Sequence, residues 1–232
     1  MKTLLLSTQL YQHIELLMRR YPILQPIEDD IIDAYLLMEA CYTKNAKLLI
    51  AGNGGSAADA EHIVGELMKS FRLPRIPDRE LSKELIAVDA VRGKELTEKL
   101  QGSLSAIALQ NHAALNTAFL NDVDGLFCYA QQVYGYGNEG DVFLGISTSG
   151  NSKNIVNAAI VAKAKKMKVI GLTGIQGGQL AEISDVAVKA PETETYMIQE
   201  LHLPIYHCWC LMLEERFFGI TSRMMCEANR NV

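Results

Sequence analysis

No apolar run in this sequence approaches the ~20 residues that a bilayer-spanning helix needs, so no membrane partner is expected. The amino end, MKTLLLSTQLYQHIELLMRR, begins with a short apolar stretch, but Gln9, Gln12, His13 and Glu15 stand where the core of a secretory signal would continue or be cut. A cytoplasmic protein is the expectation. Cysteine is sparse: Cys41, Cys128, Cys208, Cys210 and Cys226 are odd in number and scattered, unlike the spacing of a disulfide-held scaffold. Cys208-Trp209-Cys210 lacks a second pair for a metal and reads as buried packing. Basic residues do not dominate either. Lys and Arg number 22 against 27 acids, for a net charge of -5, and no basic stripe suited to a nucleic acid is present.

What is present is a globular composition, 49% hydrophobic and 21% charged, in a length that suits one domain over residues 1–232. Helical spacing over 4–20 and 27–42, broken by Pro22 and Pro26, predicts two N-terminal helices within about 1–45. Apolar runs at 47–52, 104–109, 141–147, 169–172 and 186–188 predict strands. Helical patterns stand between and after them at 56–71, 111–119, 126–134, 152–166, 178–183 and 195–218, and Pro204 is expected to kink the last. A charged helical pair, with Gly93 as a stop signal, fills an insertion at about 76–103. Alternating strands and helices predict an α/β fold with a doubly wound parallel sheet of about five strands flanked by helices. Ligands of such sheets bind beyond the carboxyl ends of the strands.

Two turns suit a small anion there. Ser147, Thr148, Ser149 and Ser152 lie where a strand gives way to a helix, and a helix N-terminus favours anions through its free N–H groups and its dipole. Asn151 or Ser152 acting only as a helix cap is the simpler alternative, but the hydroxyls exceed what capping needs. Gly52-Asn53-Gly54-Gly55-Ser56-Ala57 superficially matches a dinucleotide fingerprint. It is not followed by a second strand ending in an acid, and no G-K-[ST] ending is present, so no nucleotide cofactor is expected. A second polar turn closing on the same small ligand is the better reading.

His62 and Glu66, at i and i+4, share a helix face. Gln199, His202 and His207 lie on the last helix, and spacing leaves open which histidine faces the site. A glutamate base beside a histidine suits ketose-aldose isomerisation through an enediol. The residue types of His62, Glu66, Gln199 and a second histidine equally suit zinc.

Ala51 to His62 with Glu66, Gly145 to Ser152, Leu172-Thr173-Gly174 with Gly177-Gly178, and Ile198-Gln199-Glu200 to His207 together resemble the sugar isomerase (SIS) domain of bacterial phosphoheptose isomerases, over roughly residues 31–218 apart from the insertion. The resemblance implies conversion of sedoheptulose 7-phosphate to glycero-manno-heptose 7-phosphate by a homotetramer with active sites shared between subunits. It makes Glu66 the base and His207 its acid partner. It makes His62, Glu66, Gln199 and His207 the zinc ligands, and Ser56, Ser147, Thr148, Ser149 and Ser152 the phosphate cradle. Asn53 and Asp122 would contact the sugar. Ser70 and Tyr196 depart from the family pattern, which often has arginine and aspartate there, and the insertion lengthens the usual connection. A non-catalytic relative that partners the replication initiator supplies a second reading, but it lacks the glutamate and the last-helix histidine that this chain keeps. An isomerase for another phosphosugar is a third.

Overall fold

The computed structural model describes residues 6–219. Its five parallel strands are β1 (Leu48–Ala51), β2 (Ala106–Ala108), β3 (Val142–Ile146), β4 (Lys168–Gly174) and β5 (Val186–Ala190), in the order β2-β1-β3-β4-β5. They fall where the continuous apolar runs predict, because strands covered on both faces have no solvent side to carry polar residues. Their side chains alternate between two cores. Leu48, Ile50, Leu144 and Ile170 belong to one, and Leu49, Ala51, Phe143 and Val169 to the other.

The first core is covered by α1 (Thr8–Arg20), α2 (Glu28–Thr43), α3 (Gly55–Met68) and α10 (Thr195–Phe218); the second by α7 (Cys128–Tyr136), α8 (Lys153–Ala164) and α9 (Gly178–Ile183). Between α3 and β2 come α4 (Arg79–Val88) and α5 (Ala90–Lys99), and α6 (Ala113–Asp122) precedes α7. The expected doubly wound sheet is therefore present. Its strand order reverses between β1 and β3, so the crevice for a ligand opens at the carboxyl ends of these two strands. The glycine turn and the serine turn follow them directly.

Ser7 caps α1, accepting from the Leu10 N–H at 3.3 Å, and Leu10, Ile14, Leu17 and Met18 form its buried stripe. With Ile31, Ile32, Ala34 and Tyr35 of α2, these residues are covered by the chain's own core, so the apolar character of the N-terminal helices does not require a second subunit. The start of the expected first helix, residues 4 and 5, and Cys226 lie outside the described residues. Cys41, Cys128, Cys208 and Cys210 are free and buried. Trp209 donates to the Ile31 carbonyl at 2.9 Å inside the core. Among the described residues no helix is long and apolar enough to cross a membrane.

Two local expectations need correction. Gly93 does not stop a helix; it lies buried within α5, where a Cβ would stand 2.1 Å from the Leu85 carbonyl oxygen, so its lack of a side chain lets α5 press onto α4. The break falls at Asp89, in extended backbone, whose carboxylate caps α5 by accepting from the Val91 and Arg92 N–H groups. α3 ends at Met68 rather than near Phe71, because the Phe71, Arg72 and Leu73 N–H groups turn away to the carboxylate of Glu214. α10 spans Thr195–Phe218 with Pro204 inside it.

Candidate functional site

At Gly54 the glycine turn takes φ 55° and ψ −122°, a conformation that side chains strongly disfavour, and this reversal starts α3 at Gly55. Ser56 is buried at the first turn. Gly55 is packed under α10: a Cβ there would stand 2.6 Å from Nε2 of Gln199. Asn53 exchanges amide hydrogen bonds with Asn154 of α8, at 2.9 and 2.8 Å. That pair ties the glycine turn to the helix following the serine turn.

In the serine turn, Ser152 occupies the N-cap of α8, yet its side chain makes no capping bond. Its hydroxyl instead meets that of buried Ser147 at 3.0 Å. The simple capping alternative thus does not describe Ser152, nor Asn151, whose side-chain oxygen accepts from the Gln179 N–H; the Ile155 N–H of the first turn goes to Oδ1 of Asn154. The turn is braced from below. Gly150 takes φ 65° and accepts from the Leu180 N–H at 2.9 Å, and the Gly174 N–H donates to the Thr148 carbonyl at 2.9 Å. A pocket bordered by Thr148, Ser149, Asn151, Gly174 and Ile198 opens beside it.

Further along α3, Nε2 of His62 lies 3.3 Å from Oε1 of Glu66, as their i, i+4 spacing predicts. The His207 ring stands 4.9 Å from that of His62, edge to face. Oε2 of Glu66 and Nε2 of His207 are both buried without a hydrogen-bond partner. A carboxylate and an imidazole thus converge with donor or acceptor capacity unspent, which is costly unless a ligand uses it. Burial, and then the His62 ring, lower the His207 pKa; Glu66 opposes this and Arg20 adds to it. The imidazole is accordingly biased to neutral. It borders a groove lined by Leu16, Arg20, Tyr21 and Leu203.

The structure resolves which histidine joins Glu66. His202 is buried beneath the sheet end, with Nε2 3.2 Å from the Thr173 carbonyl oxygen, while His207, five residues on, turns to α3. Not every candidate gathers there. Gln199 lies over the glycine turn, two helical turns, or about 12 Å, before His207. Asp122 is exposed at the end of α6, where it accepts from the Asn121 amide at 2.7 Å, and is not drawn to the other candidates. Among the described residues no group of three or more His, Cys, Asp or Glu side chains closes into a metal cage.

Two pairs escaped the reading of the sequence. Arg75 and Glu214 form a buried ion pair at 2.8 Å, and Arg75 also donates to the Glu66 and Leu67 carbonyls at 2.8 and 2.7 Å, closing the end of α3. Tyr206 donates to Asp59 at 3.2 Å, and its oxygen meets Nδ1 of His62 at 3.1 Å. Burial, then the Asp59 carboxylate, hold the phenol well above its ordinary range. Asp59 stands three residues before His62, on the same helix face, which was the one available signal.

A strand-turn-helix crevice with two anion-ready turns and a carboxylate-imidazole pair defines a phosphosugar-binding α/β protein, and residues 90–174 match the family model of the SIS domain. The chain is 39% identical to phosphoheptose isomerase 2 of Campylobacter jejuni over 82% of its own length and 81% of that protein's, and 38% identical to the phosphoheptose isomerase of Aneurinibacillus thermoaerophilus over 76% of each. Among solved structures, the phosphoheptose isomerase of Neisseria gonorrhoeae superposes with a TM-score of 0.68 at 30% identity, covering 89% of this chain and 97% of that one. That of Francisella tularensis gives 0.70 at 29%, with the same coverage. The chain belongs to the phosphoheptose isomerase family.

Proposed function

We propose that this chain converts sedoheptulose 7-phosphate to glycero-manno-heptose 7-phosphate, as a ketose-aldose isomerase. The observation that carries the reading is the convergence of Glu66 and His207, each with a buried polar atom that makes no hydrogen bond, though Lys69 Nζ stands 3.9 Å from that of Glu66, on the same crevice side as two phosphate-ready turns. The names of its relatives agree with it.

The phosphate would sit in the turn from Ser147 to Ser152, with Ser56, Gly54 and Gly55 closing on it from the glycine turn. Gln199, and the sugar contacts of Asn53 and Asp122, would lie between. Glu66 takes the proton from C1 of the ketose, electrons move to the C2 carbonyl, and an enediol forms; the same carboxyl returns the proton to C2. His207, biased to neutral, donates a hydrogen bond to the oxygen at C2 as its charge grows, and passes the hydroxyl proton between the two oxygens. The separation of Gln199 and His207 along α10 favours a long, open-chain substrate.

The donor atoms of His62, Glu66 and His207 suit zinc by type, and bound there it would polarise the sugar oxygens as a Lewis acid. Their side chains do not close into a metal cage as they stand, and Gln199, set over the glycine turn, lies furthest from them along α10. We assign the assembly as a cytoplasmic homotetramer with sites shared between subunits; exposed Leu16 and Leu203, flanking the His207 groove, are what a partner would cover there.

Incubation of the purified protein with a panel of ketose phosphates, following aldose formation, tests the activity. Turnover of the seven-carbon ester is expected. Preference for a shorter ester moves the assignment to another phosphosugar, and no turnover with phosphate binding intact restores the binding-module reading. Light scattering should give four times the 25.7 kDa chain mass, and elemental analysis reads the zinc.

A further inference from the structure

The phenol of Tyr206 has a single hydrogen, and it goes to Oδ1 of Asp59 at 3.2 Å. A carboxylate can only accept, so the hydrogen bond between Tyr206 and Nδ1 of His62, at 3.1 Å, must be donated by the imidazole. This dictates the tautomer. A neutral His62 then carries its hydrogen on Nδ1 and presents a lone pair at Nε2, where Oε1 of Glu66 lies 3.3 Å away. Two acceptors facing each other repel unless a proton or a metal ion comes between them. Left with Glu66 alone, His62 would take the opposite tautomer and donate from Nε2.

From this geometry we propose that Tyr206 and Asp59 are positioning residues that hold His62 in the Nδ1-protonated tautomer, keeping the Nε2 lone pair open toward Glu66 for a cation or for an acidic hydrogen of the substrate. The proposal rests on the isomerase reading only for its purpose, not for its geometry. Tyr206 is suited to such a role because its ring is almost wholly buried, next to His207 on α10, and packs edge to face on His62 with centroids 5.6 Å apart. The ring fixes where the phenol points, and Asp59 fixes which way its hydrogen points. Second-layer hydrogen bonds of this kind orient a ring and select its ligating nitrogen.

The test is ¹⁵N NMR of the full chain labelled at histidine, of which it has five, with His62 assigned from the resonance missing in a His62→Asn variant. Samples are dialysed against a chelator, so that no bound ion imposes the tautomer. Wild type should show the Nδ1–H form. Tyr206→Phe, which keeps the ring and drops the hydroxyl, should shift His62 to the Nε2–H form and lower kcat about 10- to 100-fold, the usual cost of losing such a partner, with KM little changed. Asp59→Asn retains an accepting oxygen and should keep the wild-type tautomer; Asp59→Ala should not. An Nε2–H form in the wild type overturns the proposal, as does Tyr206→Phe with an unchanged tautomer or with wild-type turnover. If wild type isomerises no ketose phosphate, the isomerase reading falls, and the tautomer still decides this one.

Discussion

Glu214 accepts from Nε of Arg75 at 2.8 Å, and both side chains are shut off from solvent. The carboxylate also takes the N–H groups of Phe71, Arg72 and Leu73, and the guanidinium takes the last carbonyls of α3. This pair therefore sets the register of α3, and with it Glu66, against α10. Removing one partner leaves a buried charge uncompensated, which costs about 3–5 kcal/mol. Glu214→Gln should lower the urea midpoint by that amount of stability. Replacing both by apolar residues should not recover it, because three turn N–H groups would still lack an acceptor.

Gly55 separates stability from binding. Its backbone does not need a positive φ, and a Cβ there would meet only the end of the flexible Gln199 side chain. Gly55→Ala should therefore fold at least as well as wild type, with a gain of up to about 1 kcal/mol from helix propensity. Gln199 must move, so KM for the phosphosugar should rise. A urea titration and a steady-state measurement on one preparation check both halves, and an unchanged KM would remove Gln199 from the substrate path.

Local chemistry made most of the fold legible in the sequence. Each strand coincides with a short apolar run, and α9 and α10 fall on the predicted residues. What stayed hidden depends on distant partners. The early end of α3 is decided by Glu214, 143 residues from Phe71. The buried place of Gly93 depends on α4 folding back onto α5. His202 and His207 carry equal chemical promise and differ only in which way α10 faces. The spacing of Gln199 and His207 was readable as two turns of one helix, but motif spacing could not show that Gln199 packs on Gly55 or that Asn53 is engaged with Asn154.

His202 makes stability depend on pH. Burial is the larger cause that pulls its pKa down to about 4, against the opposing hydrogen bond with the Thr173 carbonyl, and its Nδ1 has no partner. The unfolded chain thus binds this proton more tightly than the folded one, so stability is intact above about pH 6.5 and falls as pH drops toward 4. A shift of that size is worth on the order of 3 kcal/mol. Urea titrations between pH 8 and pH 4.5 should show this acid limb in wild type and a flatter one in His202→Asn, whatever that variant loses at pH 8. Equal slopes would assign the limb to other groups, His207 first, since its pKa is lowered too.

Glu66 and His207 bear the chemistry in this reading, and their replacement should separate base from acid. Glu66→Gln keeps shape and hydrogen-bonding capacity but removes the base, so kcat should fall about 10²- to 10⁴-fold. The Arg75 contact to Glu66 runs to its main-chain carbonyl, so the fold should survive; an unchanged urea midpoint checks this. Loss of turnover could also follow from loss of a metal ion held by the same carboxylate, so zinc must be assayed alongside. Turnover lost with metal retained assigns Glu66 to proton transfer, whereas both lost together assign it first to the metal. His207→Asn should also slow the reaction. His202→Asn, assayed at pH 8 where its effect on folding is least, should leave turnover near wild type, because that ring is buried against Thr173 and lies apart from His62 and Glu66. A fully active His207→Asn with an inactive His202→Asn would mean that substrate reaches the chain from the sheet side of α10, and the proton path drawn through Glu66 would then fail.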